Sequence, residues 1–268
     1  MTQFFQLITF GIVQGLTYAL LACSFWIIYS TTRTFHLAHS LVYAIAGYAV
    51  YVASVLLAMP LWVGLIASLA VSALSGCLIE FLLYNRLRKR GSTVLGIFLS
   101  SLGVAAAGTA LLQLIFGPMV KQVPGFPNAT LSLGDVTVTT LQLTSSACAL
   151  LAIGAVYVLL TFTSVGNAVT AVRTNPRLAM AVGIRVESIS LLVFAIGSAM
   201  AGLAAYFETI GFVAYPTMGL QPVMFGVIAV FLGGVSTIRG AATGGFVLGF
   251  LLVFSGLFLS QNLGVILV

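Results

Sequence analysis

What most constrains this chain is a repeated pattern of long apolar runs parted by short polar breaks. A helix needs ~20 mostly apolar residues to cross the hydrocarbon core of a bilayer. Backbone groups inside lipid must be bonded within the structure, so only helices and closed barrels span it. Barrel strands show segments of about ten residues with alternating polarity, and continuous runs such as 141–162 break that alternation. The fold class is therefore all-α, a polytopic integral membrane protein. Composition agrees, because only 5% of residues are charged, where a soluble domain carries about a quarter. Apolar windows fall near 4–29, 41–59, 61–84, 93–117, 141–162, 188–211, 220–234 and 244–260, giving eight expected spans in a single domain over 1–268. A further run, Leu263 to Val268, stops short of a span and reads as the start of a ninth helix. The first run lacks the basic flank and small-residue cleavage site of a signal peptide, so it is expected to be kept as a span.

The charges give an orientation. With eight crossings, alternate loops share a face, and one face collects Arg33, then Arg86, Arg88, Lys89 and Arg90, then Arg173, Arg177 and Arg185, then Arg239. Those are nine of the ten basic residues; only Lys121 falls on the other face. The positive-inside rule makes the nine-residue face cytoplasmic and places the N-terminus outside. The net charge of +6 thus reads as a topology signal rather than a nucleic-acid surface, since no base-stacking motif is interleaved with it. The external segment 118–140 has strand character, with Thr130 to Leu133 and Val136 to Thr139 alternating about Gly134-Asp135, which predicts a small hairpin. GxxxG spacing at Gly11/Gly15, Gly240/Gly244 and Gly245/Gly249 predicts close helix packing within the chain.

Residues able to carry chemistry are few. The acids are Glu80, Asp135, Glu187 and Glu208, and none lies at the centre of a predicted span. Ion-coupled carriers ordinarily keep an ionisable group there. Glu80 and Glu187 have structural explanations near the basic cluster and at a helix start, and Glu208 either faces a pore mouth or reaches the interface. His36 and His39 are spaced to share a helix face; they line a passage or bond the turn between the first two spans, and two ligands alone do not make a metal site. Cys23, Cys77 and Cys148 lie singly in apolar runs and read as small buried side chains. The loop Gly166 to Glu187 is the most informative: Asn175 can cap a helix opening at Pro176, apolar residues follow to Val182, and Gly183 can end it. Such an element is a rigid knob for a partner's groove or an interfacial helix anchored by arginines. No G-x-x-x-x-G-K-[ST] loop occurs, and no catalytic constellation is visible, so the chain is neither its own nucleotide motor nor an evident enzyme.

Several stretches carry a resemblance. GNAVTAVRTNPRLAMAVGI followed by FAIGSAMAGLAA, the run IEFLLYNRLRKRG into STVLGIFLSSLG and LIFG, and VIAVFLGGVSTIRGAATGGFVLG together resemble, in order and over essentially the whole chain, the permease subunits of bacterial branched-chain amino acid ABC importers. The resemblance implies that 166–187 is the element that receives an ATPase, with Arg173, Asn175, Pro176, Ala179 and Gly183 at matching positions and Arg177 in the same loop. It implies an inner-membrane permease that pairs with a second permease, identical or different, with two cytoplasmic ATPases that hold ATP and magnesium, and with an external solute-binding protein. No cofactor is expected on this chain itself. The cargo implied is a branched-chain or related amino acid; similar subunits are associated with urea and short amides, and an autonomous channel or ion-coupled carrier is the alternative from another class. His36, His39 and the paired Gly233-Gly234 are candidates for path or gate. One departure stands out: the family commonly shows Asn-Phe-Ala-His-Gly and then glutamate where this chain has His36-Leu37-Ala38-His39-Ser40-Leu41. His39 matches, but an amide and an acid are gone, which points to a different solute preference. The family's C-terminal helix and Arg-Pro tail are also not seen before Val268, as expected if the sequence stops within that helix.

Overall fold

In a computed structural model the chain is described over residues 2–123, 125–126, 129–133 and 136–258. The elements are α1 (Thr2–Thr32), α2 (His39–Leu56), α3 (Leu61–Lys89), α4 (Val94–Phe116), β1 (Thr130–Leu133), β2 (Val136–Thr139), α5 (Thr140–Phe162), α6 (Ser164–Thr174), α7 (Pro176–Ala181), α8 (Val186–Gly211), α9 (Leu220–Gly233) and α10 (Ile238–Phe258). Seven of these helices are long and apolar enough to cross a membrane; α9, with 14 residues, is shorter. The all-helical membrane class is therefore what the structure shows. The hairpin forms as its alternation predicts, with Thr130 opposite Thr139 and Leu133 opposite Val136, while its turn at 134–135 and the run after 258 lie outside the described residues.

The helices sort by burial. Windows of α1, α2 and α8 are 67, 67 and 61% buried, against 11% for α4 and α5. The former make the core, and the latter turn leucines such as Leu99, Leu114 and Leu151 outward, as lipid-facing or partner-facing helices do. Lipid removes the hydrophobic drive between helices, so the core depends on close backbone approach. At the α1–α10 seam a Cβ added to Gly245 would lie 2.5 Å from Ala19 Cα, and one on Gly249 would lie 2.5 Å from Gly15 Cα. Two of the GxxxG pairs thus pack against each other inside one chain.

Two ends of the bundle can be told apart. At one end Arg88 donates to Thr34 Oγ1 (3.2 Å), Lys89 pairs with Glu187 (2.9 Å) and Trp26 Nε1 donates to Val235 O (2.9 Å), so the loops holding Arg33, Arg86–Arg90, Arg173–Arg185 and Arg239 meet there. At the other end Lys121 and Ala214 exchange two backbone bonds of 2.8 Å, and Gln6 bonds Thr137 in both directions. The nine-to-one partition of basic residues read from the sequence is a partition in space.

Two departures from simple zigzag matter for the site. The segment Phe212–Gly219 is not helical; it runs inward from the Ala214 bridge, with Ala214 and Met218 fully buried. Gly219 arrives against the first turn of α2, where an added Cβ would sit 2.1 Å from Ser40 O. α9 therefore starts inside the bundle, which is why it is only 14 residues long. Irregular backbone at such depth is tolerated when protein covers it. In α3, a π-helical turn over Glu80–Tyr84 inserts one residue into the helical phase and brings both Glu80 and Tyr84 inward, at 1% and 0% exposure.

Candidate functional site

Three features stand out from the apolar bundle. The first is the basic-end knob. Asn175 Oδ1 accepts from Arg177 N and Leu178 N at 3.1 Å each, Pro176 occupies the first helical position, and Gly183 closes the turn at φ +88°. Every cap read from the sequence is present. The six-residue α7 is held from below by Ala179, which is 2% exposed, while Leu178, Met180 and Val182 stand out at 62, 56 and 71%. Arg173, in the last turn of α6, lies over the Trp26 ring at 5.6 Å, which fixes the knob to the end of α1. Arg173 also lines, with Arg33 and Ser30, a recess of about 360 Å³.

The second feature is the histidine pair, fully buried where the 33–38 turn meets α2. His39 Nε2 lies 2.6 Å from Ser24 Oγ, and Ser24 gives its one proton to Gly197 O (2.9 Å), so His39 Nε2–H donates. This chain ties α2, α1 and α8 together. His36 Nδ1 lies 2.8 Å from the Tyr84 hydroxyl, which bonds Ser101 Oγ (2.8 Å), and Ser101 accepts from Ala38 N (2.8 Å). That second chain ties the turn to α3 and α4. His36 Nε2 and His39 Nδ1 have no partner among the described residues. The turn is thus bonded by its own histidines.

The third feature lies in the half of the bundle away from the basic end. A cavity of about 820 Å³ is bounded by α1, α5, α8, the 212–219 segment and the start of α9. Its walls are mostly apolar, from Phe10, Val13, Leu20, Leu21, Ala204 and Phe207, and it lies below the base of the hairpin, where Thr139 and Gln142 form the capping box of α5 and line the cavity. The polar groups are Gln14, Thr17, Tyr18, Tyr43, Ser145, Glu208, Tyr215 and Gln221. Glu208 Oε2 accepts from the buried Tyr43 hydroxyl at 2.5 Å. Among the described residues the ion pairs are Arg88–Glu80 and Lys89–Glu187, so Glu208 has no cationic partner there.

Comparison with known proteins gives the chain its place. The family described as branched-chain amino acid transport system / permease component matches residues 7–268. This chain belongs to that permease family. LivH of Escherichia coli and LivH of Salmonella typhimurium, each named a high-affinity branched-chain amino acid transport system permease protein, are 27% identical over 97% of this chain and 88% of their own length. BraD of Pseudomonas aeruginosa, which bears the same description, is 27% identical over 92% of this chain and 84% of its own.

Within the permease, Arg173, Asn175, Pro176, Arg177, Ala179 and Gly183 are brought together as one capped element at the basic end. His36 and His39 are also brought together, with rings 5.2 Å apart, but neither lines the 820 Å³ cavity. Gly233 and Gly234 lie at the tight turn between α9 and α10, where a Cβ on Gly233 would fall 1.9 Å from Gly240 O. The Glu208 cavity is the feature that sequence reading weighed least. Its signal was present in part, as Gln14 and Tyr18 at helical spacing on α1 together with an acid one turn from the end of α8.

Proposed function

We propose that this chain is the path-forming permease of an ATP-driven importer for branched-chain or related amino acids, worked by separate cytoplasmic ATPases. The observation that carries the reading is the knob: a capped, rigid element whose apolar side chains face outward at the basic end of a chain that has no nucleotide-binding loop. A short helix with exposed Leu178, Met180 and Val182 suits a groove on a partner, and ATP-driven closure of that partner would tilt the helices to which α6 and α7 are joined. ATP and magnesium belong to the partner ATPases.

The remaining parts of the assembly follow. The basic end faces the cytoplasm under the positive-inside rule, so the N-terminus and hairpin face outward in a bacterial inner membrane. A second permease copy or homologue covers part of the outward-turned leucines of α3, α4 and α5, and an external solute-binding protein delivers the cargo. His36 and Leu41, where relatives of this kind commonly carry an asparagine and a glutamate, keep urea and short amides as a second solute class.

The test is uptake into proteoliposomes that hold this chain, its candidate ATPases and second permease, with the external receptor loaded in turn with leucine, other amino acids, urea or a short amide. Solute-stimulated hydrolysis with uptake, lost when the ATPases are omitted, supports the importer and names its cargo. Flux without any ATPase would replace it with a channel or carrier.

A further inference from the structure

The importer reading concerns the knob and leaves the larger cavity without a role. A carboxylate drawn into the membrane part of a protein is costly and is kept where it meets a partner charge. Glu80 meets Arg88 and Glu187 meets Lys89, whereas Glu208 has only the Tyr43 hydroxyl among the described residues. Its side chain is half-buried and lines the cavity, so the charge faces a space that a small molecule can enter. The volume of about 820 Å³ lies within the roughly 300–1,000 Å³ of small-molecule sites, which are mostly apolar with a few placed polar groups.

The chemistry around Glu208 selects one class of cation. Tyr18 and Tyr215, both part-exposed, line the cavity together with Glu208, and aromatic rings near a carboxylate favour an organic ammonium over a bare metal ion. Phe10, Val13 and Phe207, which keep accessible surface, supply apolar wall for an aliphatic side chain. Gln221 lies in the first turn of α9, at the end of a helix that begins inside the bundle and favours an anionic group. The geometry points to a station for a zwitterionic aliphatic amino acid in this cavity, with Glu208 holding its ammonium group. This rests on the importer reading for the identity of the cargo and adds that the permease itself recognises it.

The full-length chain in lipid nanodiscs, without ATPases or receptor, is titrated with L-leucine, L-leucinamide, 4-methylpentanoate and sodium chloride, and thermal unfolding is followed. Leucinamide keeps the ammonium and loses the carboxylate; 4-methylpentanoate does the reverse. Leucine and leucinamide are expected to give a saturable stabilisation, 4-methylpentanoate and sodium chloride none. Glu208→Gln is expected to weaken leucine about tenfold or more, the effect of losing one charge-assisted bond. The ligand series on the parent protein decides the matter even if the variant does not fold. No saturable shift with leucine, an equal shift with 4-methylpentanoate, a shift with sodium alone, or undiminished binding to a folded Glu208→Gln protein would each overturn the station. Failure of the importer reading has a different signature, flux that needs no ATPase, and it leaves this binding intact.

Discussion

Glu80 and Glu208 are two carboxylates that the fold draws inward near opposite ends of the bundle, and they meet opposite treatment. Glu80 is carried in by the π-turn of α3, is 1% exposed, and is paired with Arg88 from two turns further along the same helix. Glu208 sits one turn from the end of α8 with a tyrosine hydroxyl for company and open space beside it. The first arrangement neutralises its charge within the chain; the second leaves a charge facing a cavity. Helix position alone does not separate structural from ligand-directed acids. The partner does.

The difference can be pressed with substitutions. The largest effect is expected for Arg88→Met, which strands Glu80 without its cation: removal of one member of a buried pair costs about 3 kcal/mol or more, read as a lower unfolding midpoint in nanodiscs. Adding Glu80→Gln to that variant is expected to restore most of the loss, and a double variant no more stable than Arg88→Met would break the pairing account. Next, Glu80→Gln alone is expected to destabilise by about 1–3 kcal/mol as the Arg88 bond is weakened. Glu208→Gln in the absence of solute is expected to stay within about 0.5 kcal/mol of the parent or to gain stability. Equal losses at the two positions would erase the distinction. Tyr43→Phe should cost about 1 kcal/mol, the worth of one hydrogen bond, and should lower leucine affinity less than Glu208→Gln does. The smallest difference is expected between the histidines, each held through one ring nitrogen. His39→Ala should lower uptake more than His36→Ala, because His39 joins three core helices through Ser24 and Gly197. Wild-type uptake by both would leave the pair a purely structural tie.

The legible parts of this protein are those written in local sequence. Hydropathy gave the long helices, and the basic residues gave the two ends, because lipid imposes both on each segment independently of its neighbours. The hairpin and the knob were equally open to reading, since alternation at 130–139 and the Asn175-Pro176…Gly183 signature specify their backbones directly. Less could be read wherever two distant segments settle the outcome. The sequence window at 220–234 looks like an ordinary short span; that α9 begins inside the bundle depends on Gly219 meeting Ser40 and on Lys121 bridging Ala214. The extension of α3 through Asn85 to Lys89 and the early start of α10 at Ile238 were hidden because polar helical turns at a membrane surface read as loops. The Glu208 cavity was hidden for a related reason. Helices apolar on every side give no phase from which to tell that Gln14 and Tyr18 of α1 turn toward Tyr43 and Glu208.

One measurement bears most directly on the central claim that force from separate ATPases enters through the knob. It is the ratio of ATP hydrolysed to solute taken up by the reconstituted importer, compared between the parent chain and two variants, Pro176→Gly and Gly183→Val. Both substitutions act on the backbone of the α7 segment alone, the first by removing the fixed opening turn and the second by placing a β-branched residue at φ +88°. The expected result is normal membrane insertion, continued hydrolysis and a several-fold fall in uptake, so that the ratio rises in both variants. An unchanged ratio with full uptake in both would contradict the claim and return α7 to the role of an interfacial helix.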